Sequence, residues 1–365
     1  MNGSRPAAMR IAVTADPELP VPPRLYGGIE RIIHLLVRGL VSRGHDVTLF
    51  AHPDSSTTAR LVRYPGRDSR SWQDTVCNAA LITAEALRGG FDVIHSFSRI
   101  AYLLPLLPLR VPKLMTYQRP VTRRSVKMAN RLAHGTLQFS AISRQLMEGV
   151  RHLGVWHLVY NGVDANSFDF TKEVRPDAPL VFLGRIEHLK GTHLAIDVAR
   201  RTRSALVIAG NVAPEHQAYF DQQVRPHLDG GLVTFIGPVD DRAKNDLLGR
   251  ARALLMPVLW EEPFGIVMVE AMACGTPVLG FARGAIPEVI EDGVTGYVRR
   301  DLESLVKAVG ELPRIDRASC RARVERLFSG DAIVGEYLRI YEGLRYIGRS
   351  KRQVPSAPGQ TARKR

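Results

Sequence analysis

At 365 residues with 45% hydrophobic content, the chain can bury two ordinary domain cores and has the composition of a soluble globular protein. No membrane-spanning helix is expected, because the most apolar short run, Tyr102 to Leu109, is cut by Pro105 and Pro108; the opening MNGSRPAAMR lacks an apolar stretch of signal-peptide length. The formal charge is +14, and Cys77, Cys274 and Cys320 are too scattered to frame a disulfide or zinc site, so a reducing cytoplasm is the simpler setting.

Met9 to Ala15 (MRIAVTA) reads as a buried parallel strand. A proline-rich loop ending in Gly27 and Gly28 then leads into an amphipathic helix from about Ile29 to Arg43. Strand, glycine turn and helix form the phosphate-binding arrangement of an α/β sheet, although two glycines alone are weak evidence. Alternation continues with strand His45–His52, helix Ser71–Arg88, strand Asp92–Phe97, a short helix near Ala101, strand Lys113–Gln118, helix Arg124–Ala133 and strand Thr136–Ile142. Strands separated by helices imply a parallel sheet covered on both faces, with sites at the strands' carboxyl ends. That rule turns His95, Ser96, Tyr117, Gln118 and Ser143 toward a cleft. Between Arg99 and Arg151 ten cations face one acid, Glu148, interleaved with LLPLLPL. This suits an anionic membrane surface or a phosphorylated acceptor; a solvated basic face is the equal alternative, and no nucleic-acid partner is expected.

Asn161-Gly162 marks a turn, the first domain is expected to end near Glu173, and RPDAP reads as a linker. The α/β pattern then restarts. Strand Leu180–Leu183 delivers Gly184, Arg185, Glu187, Lys190 and Gly191 at its carboxyl end, before a helix near Thr192. Two cations on a glycine-framed loop suit a diphosphate, Arg185 as a planar fork and Lys190 as a point charge; a surface pair balancing Glu187 is the bland alternative. Strand Ser204–Gly210, a helix from Glu215, strand Leu232–Gly237 and a helix from Asp240 follow. Asp240 and Asp241 look like a helix start, and without a D-x-D element at a strand end no catalytic metal is expected. A strand near Gly296 to Val298 precedes helices from Leu302, from Asp316 and over Ala332–Tyr346. The expected partition is a flexible N-terminus (1–8), two Rossmann-like domains (9–173 and 174–331), a final helix (332–347) and a disordered basic tail (348–365).

The stretch Pro257 to Glu288, PVLWEEPFGIVMVEAMACGTPVLGFARGAIPE, carries the chemistry. An apolar strand-like run ends at Trp260, and Gly265 reads as the turn into a helix from Ile266 that is hydrophobic all round and therefore buried. The first amides of such a helix are a ready anion site. Glu270, one turn in, is a buried carboxylate that a ribose diol can satisfy, and Glu262 in the preceding loop can accept from another polyol. Spacing alone leaves equal room for a dipole-favouring Glu262 and a satisfied core Glu270.

With seven residues between them in EPFGIVMVEAMACGTPV, Glu262 and Glu270 resemble the E-x7-E signature of retaining GT-B glycosyltransferases, closest to family 4. The resemblance implies an α/β GT-B fold, two Rossmann-like parallel-sheet domains facing each other across a cleft, with the last helix crossing back onto the first. It implies that Glu262 and the backbone of Phe264, Gly265, Ile266 and Val267 hold the donor sugar, and that Glu270 holds the ribose. Gly184, Arg185 and Lys190 would neutralise the leaving diphosphate, the Gly27-Gly28 loop would approach it, and the turn at Pro238 and Val239 would lie near the base. No cofactor is implied beyond the donor substrate, a UDP- or GDP-linked sugar, and the acceptor would be a glycan or lipid-linked hydroxyl. Many relatives carry histidine after the strand occupied here by KLMTYQRP. Gln118 cannot exchange a proton near neutral pH, and His95 is the candidate to compensate, a structural histidine being the competing reading. A cytoplasmic enzyme, peripheral on the membrane's inner face, is the expectation; a nucleotide-sugar epimerase and a non-catalytic binding subunit are the alternatives.

Overall fold

The structure is a computed structural model that describes residues 7–23 and 27–350, the side chains of 347–350 excepted. The tail beyond 350 and residues 1–6, read above as flexible, lie outside the described residues.

The first half is β1 (Arg10–Thr14), α1 (Gly28–Ser42), β2 (Asp46–Ala51), β3 (Arg60–Arg63), α2 (Trp72–Gly89), β4 (Val93–Ser96), β5 (Lys113–Tyr117), α3 (Arg123–Leu132), β6 (Leu137–Ala141), α4 (Arg144–Met147) and β7 (Trp156–Leu158). The seven strands form one parallel sheet in the order β3-β2-β1-β4-β5-β6-β7. The second half is β8 (Leu180–Leu183), α5 (Thr192–Thr202), β9 (Leu206–Ala209), α6 (Gln217–Gln223), β10 (Val233–Phe235), α7 (Asp241–Arg250), β11 (Ala253–Met256), α8 (Ile266–Ala273), β12 (Val278–Phe281), α9 (Ile286–Val289), β13 (Gly296–Arg299), α10 (Leu302–Glu311), α11 (Arg317–Leu327) and α12 (Gly330–Ser350). Its sheet, also parallel, runs β10-β9-β8-β11-β12-β13.

Local chemistry sets the boundaries. Ser71 caps α2 by accepting from Asp74 N–H, and Gly90, in the left-handed region, stops it. Thr122, Asp240, Asp301 and Asp316 cap α3, α7, α10 and α11 in the same way. The strand expected at Pro257–Trp260 is displaced: β11 stops at Met256 because Pro257 offers no N–H to the ladder, and Pro257–Trp260 becomes the loop that leaves the sheet.

α12 crosses back onto the first sheet. Its Ile333, Val334, Tyr337, Tyr341 and Leu344 are buried with Ile11 and Val13 of β1 and Ile32, Leu36 and Leu40 of α1. Each such side chain contributes about 1.5–3 kcal/mol by leaving water. α2, α3 and the 3-10 turn Ile100–Leu106 cover the opposite face through Ile82, Leu103, Leu106, Val126 and Ala129.

Candidate active site

Two loops at the carboxyl edge of the second sheet are interlocked by main-chain packing. The 3-10 turn His188–Lys190 ends at Gly191 (φ 75°), where a Cβ would lie 2.0 Å from the Pro257 carbonyl oxygen; Leu259 N–H donates to Leu189 C=O at 2.8 Å. Only glycine permits that approach. On the other side Gly284 (φ 58°) presses against Glu262, whose backbone nitrogen and oxygen would stand 2.4 and 2.2 Å from a Cβ there, and Ala285 N–H donates to Glu262 C=O at 2.8 Å. The loop carrying Glu262 is thus held from both sides.

The side chains converge accordingly. Glu262, 6% exposed, accepts from Lys190 Nζ at 2.6 Å and from Trp260 Nε1 at 3.1 Å, and the ammonium stands 4.8 Å from the Trp260 ring centroid. Gly265 (φ 76°) turns the chain into α8, which packs between α7 and α11 and is buried from Met268 to Ala273. The first intrahelical bond runs from Met268 N–H to Gly265 C=O at 2.9 Å, so the amides of Gly265, Ile266 and Val267 have no partner within the helix.

Glu270, 7% exposed, accepts from Lys244 Nζ at 2.6 Å. Lys244 also lies 3.1 Å from Asp241, which pairs at 2.9 Å with Arg31 of α1, across the two domains. Partial burial pushes the Asp241 carboxyl up, but Lys244 and Arg31 outweigh it and hold it below the usual range. Glu270, Lys244, Ile266, Arg31, His34 and Phe168 line an interdomain cleft of about 320 Å³. A second interdomain contact comes from Glu288, which accepts Arg144 N–H at 2.8 Å and Gln145 N–H at 3.1 Å.

The other residues singled out from sequence fall as follows. Gly184 and Arg185 leave β8, the strand next to β11; Arg185 is exposed and pairs with Glu187 at 3.1 Å, whose other oxygen lies 3.1 Å from His216 Nε2. Phe264 is buried, its ring centroid 5.9 Å from Phe328. Gly27 (φ 154°) and Gly28 start α1, on the first domain. Pro238 and Val239 follow the edge strand β10 and do not line the cleft of Glu270. Among the described residues no three His, Cys, Asp or Glu side chains are grouped to hold a metal ion.

His95 is a correction. It does sit near the carboxyl end of β4, but it is fully buried, with Nδ1 2.5 Å from Tyr341 Oη and Nε2 2.6 Å from Thr116 Oγ1. Burial drives its pKa well below the ordinary histidine value. It fastens α12 to the sheet and reaches no cleft, so the catalytic role is withdrawn. Gln118 is likewise engaged, exchanging two amide hydrogen bonds with Asn161 at 3.0 and 2.8 Å. Lys113, counted above with the basic surface, is internal: its Nζ donates to the carbonyls of Leu109 and Val111 at 2.7 Å each, and burial lowers its pKa to about 7.

Sequence reasoning passed over Lys244, Arg31 and Glu288. Lys244 follows Asp241 by three residues, a helical neighbour spacing, but nothing local says that Glu270 faces it.

Comparison with known proteins gives this geometry its class. Residues 26–167 match the model for Glycosyltransferase Family 4, and residues 165–316 match that for Glycosyl transferases group 1. The chain therefore belongs to the group 1, family 4 type of glycosyltransferases, and its two facing parallel-sheet domains are the GT-B fold. Among curated relatives, the glycogen synthase of Mycobacterium tuberculosis strain H37Rv is 26% identical over 370 residues, covering 84% of this chain and 88% of that protein. A phosphatidyl-myo-inositol mannosyltransferase of Mycobacterium leprae is 27% identical over 397 residues, covering 95% of this chain and 100% of that one. Among solved structures, sucrose-phosphate synthase from Thermosynechococcus elongatus superposes with a TM-score of 0.75 at 21% identity, over 93% of this chain and 100% of that one.

Proposed function

We propose that the protein transfers a hexose-type sugar from a nucleoside-diphosphate sugar, UDP- or GDP-linked, to an acceptor hydroxyl, with retention of anomeric configuration and without a metal. The observation that carries this reading is the pairing of each spaced glutamate with its own lysine on the same sheet edge: Glu262 with Lys190 and Glu270 with Lys244. In such a pair the carboxylate can accept sugar hydroxyls through its remaining lone pairs, while the lysine Nζ stays within reach of phosphate. Glu270 would hold the ribose, and Glu262 the donor sugar. Lys190, Arg185 and the amides of Gly265 to Val267 would stabilise the diphosphate as it leaves. The bond from the anomeric carbon to phosphate oxygen breaks while the acceptor oxygen bonds to the same face, and the hydroxyl proton passes to the departing phosphate. Closure of the two domains over this site would exclude water.

The membrane reading has support of its own. Arg124, Lys127 and Arg131 are exposed on α3, which packs against the 3-10 turn, and an apolar groove of about 570 Å³ runs between that turn and α2, lined by Val76, Leu87, Leu104 and Pro105. Exposed cations and an apolar groove on the same layer of helices suit the surface of an anionic bilayer. No described helix is long and apolar enough to cross one.

Screening nucleotide sugars for thermal stabilisation, then assaying the best one with and without acceptors, tests the donor assignment. A set in which none stabilises the protein would refute it. An epimerised donor recovered in the absence of acceptor would instead establish the epimerase.

A further inference from the structure

The first turn of α1 separates two cavities. Arg31 and His34 face the cleft of Glu270, whereas Glu30 faces a cavity of about 510 Å³ in the first domain, lined also by Asp16, Tyr117, Arg70, Arg99 and Arg119. This second cavity is stratified by charge. Glu30 is 8% exposed, and among the described residues the hydrogen bond to its carboxylate comes from its own backbone N–H. Asp16 Oδ1 and the Tyr117 hydroxyl are buried without a partner. Arg70, Arg99 and Arg119 are exposed at the rim, with Arg99 oriented by a 2.7 Å bond to Ser69 C=O.

Buried carboxylates without donors are costly, and a polyol is the ligand that supplies several O–H donors at once. Guanidinium groups at the mouth supply the complementary charge for a phosphate that stays near water. We infer that the acceptor is a phosphorylated polyol, its hydroxyls read by Asp16 and Glu30 and its phosphate held by Arg70, Arg99 and Arg119. Burial, with the charge of Glu18 nearby, pushes Asp16 up to about 6 against the charges of Arg119 and Arg99 and a hydrogen bond from the Arg99 backbone, and burial raises Glu30 as well. The inference rests on the glycosyl-transfer reading and adds the acceptor's chemical class.

The test is calorimetric. UDP and GDP are titrated first, because failure of both to bind would defeat the donor reading before the acceptor is considered. Glucose 6-phosphate and inositol 1-phosphate are then titrated against glucose and inositol, with and without nucleotide, alongside vesicles containing phosphatidylinositol. At least one phosphorylated polyol, free or lipid-borne, should bind about tenfold or more tightly than its neutral counterpart. Selective binding to the vesicles would identify a lipid headgroup, and selective binding to the soluble phosphates a free metabolite. Asp16→Asn and Glu30→Gln should each weaken that binding about tenfold while nucleotide affinity holds. Arg119→Gln should erase the preference for phosphate. The inference is overturned if nucleotide binds but phosphorylated and neutral polyols bind alike, or if both carboxylate variants, folded by circular dichroism, keep native affinity.

Discussion

The ammonium of Lys190 lies 2.6 Å from the carboxylate of Glu262, and the two groups share the indole of Trp260, one over its ring and the other at its N–H. Removing the lysine therefore has two separable effects. Lys190→Ala should lower turnover by about 10²-fold or more, as loss of a group that stabilises developing charge does. It should also lower thermal stability, because Glu262 is left buried with one neutral donor. Lys190→Ala combined with Glu262→Gln should regain stability but not activity. Native turnover in the single variant would remove Lys190 from the mechanism.

Glu270 and Lys244 form the corresponding pair where the nucleotide is proposed to bind. Glu270→Gln should weaken UDP or GDP binding by roughly 10–100-fold, the loss expected when charge-assisted hydrogen bonds to a diol become neutral ones. Calorimetry with the nucleoside diphosphate alone is sufficient, and an unchanged affinity would exclude ribose recognition by this residue.

His95 is expected to matter for stability and not for chemistry. His95→Phe should cost about 1–3 kcal/mol by orphaning Tyr341 Oη and Thr116 Oγ1, with turnover per folded molecule retained. The pH sign follows from its depressed folded-state pKa. The unfolded chain takes up the proton first, so the stability associated with neutral His95 is complete above about pH 6.5 and is lost as pH falls below it. Asp16 opposes this trend: its pKa, raised to about 6, makes the folded form the better proton acceptor between about pH 4 and 6. Denaturation curves across that range should show a shallower acid loss for His95→Phe and a steeper one for Asp16→Asn.

The basic face of α3 gives a fourth expectation. Anionic vesicles should pull the protein down at low salt, and Arg124→Glu with Lys127→Glu should weaken sedimentation severalfold without changing nucleotide affinity. Equal sedimentation of native and variant protein would place the contact elsewhere.

Much of the second domain's local geometry was legible in the sequence. A glycine before an uninterrupted apolar run, a carboxylate one turn in and two glycine-framed cations each state their geometry within a dozen residues. His95 was misread because strand position locates the residue along the strand, whereas the face it takes depends on what covers the sheet. It shares its face with Val93 and Phe97 beneath α12, and its partner Tyr341 is 246 residues away. Lys113 misled similarly, since a lysine tied to two carbonyls is indistinguishable in sequence from one on the surface. Strands β3, β7 and β12 went unassigned; β3 and β7 are the two edges of the first sheet, where no strand covers one side.

The return of α12 to the first sheet has a consequence for biosynthesis. The first unit emerges from the ribosome before the second, yet the helix that seals Val13, Leu36 and His95 follows the whole of the second unit, so the first unit's interior stays open until that unit and α12 have been made. Nascent chains stopped before residue 330 should consequently be held by chaperones, or cut by proteases, at a segment some three hundred residues upstream of the missing part.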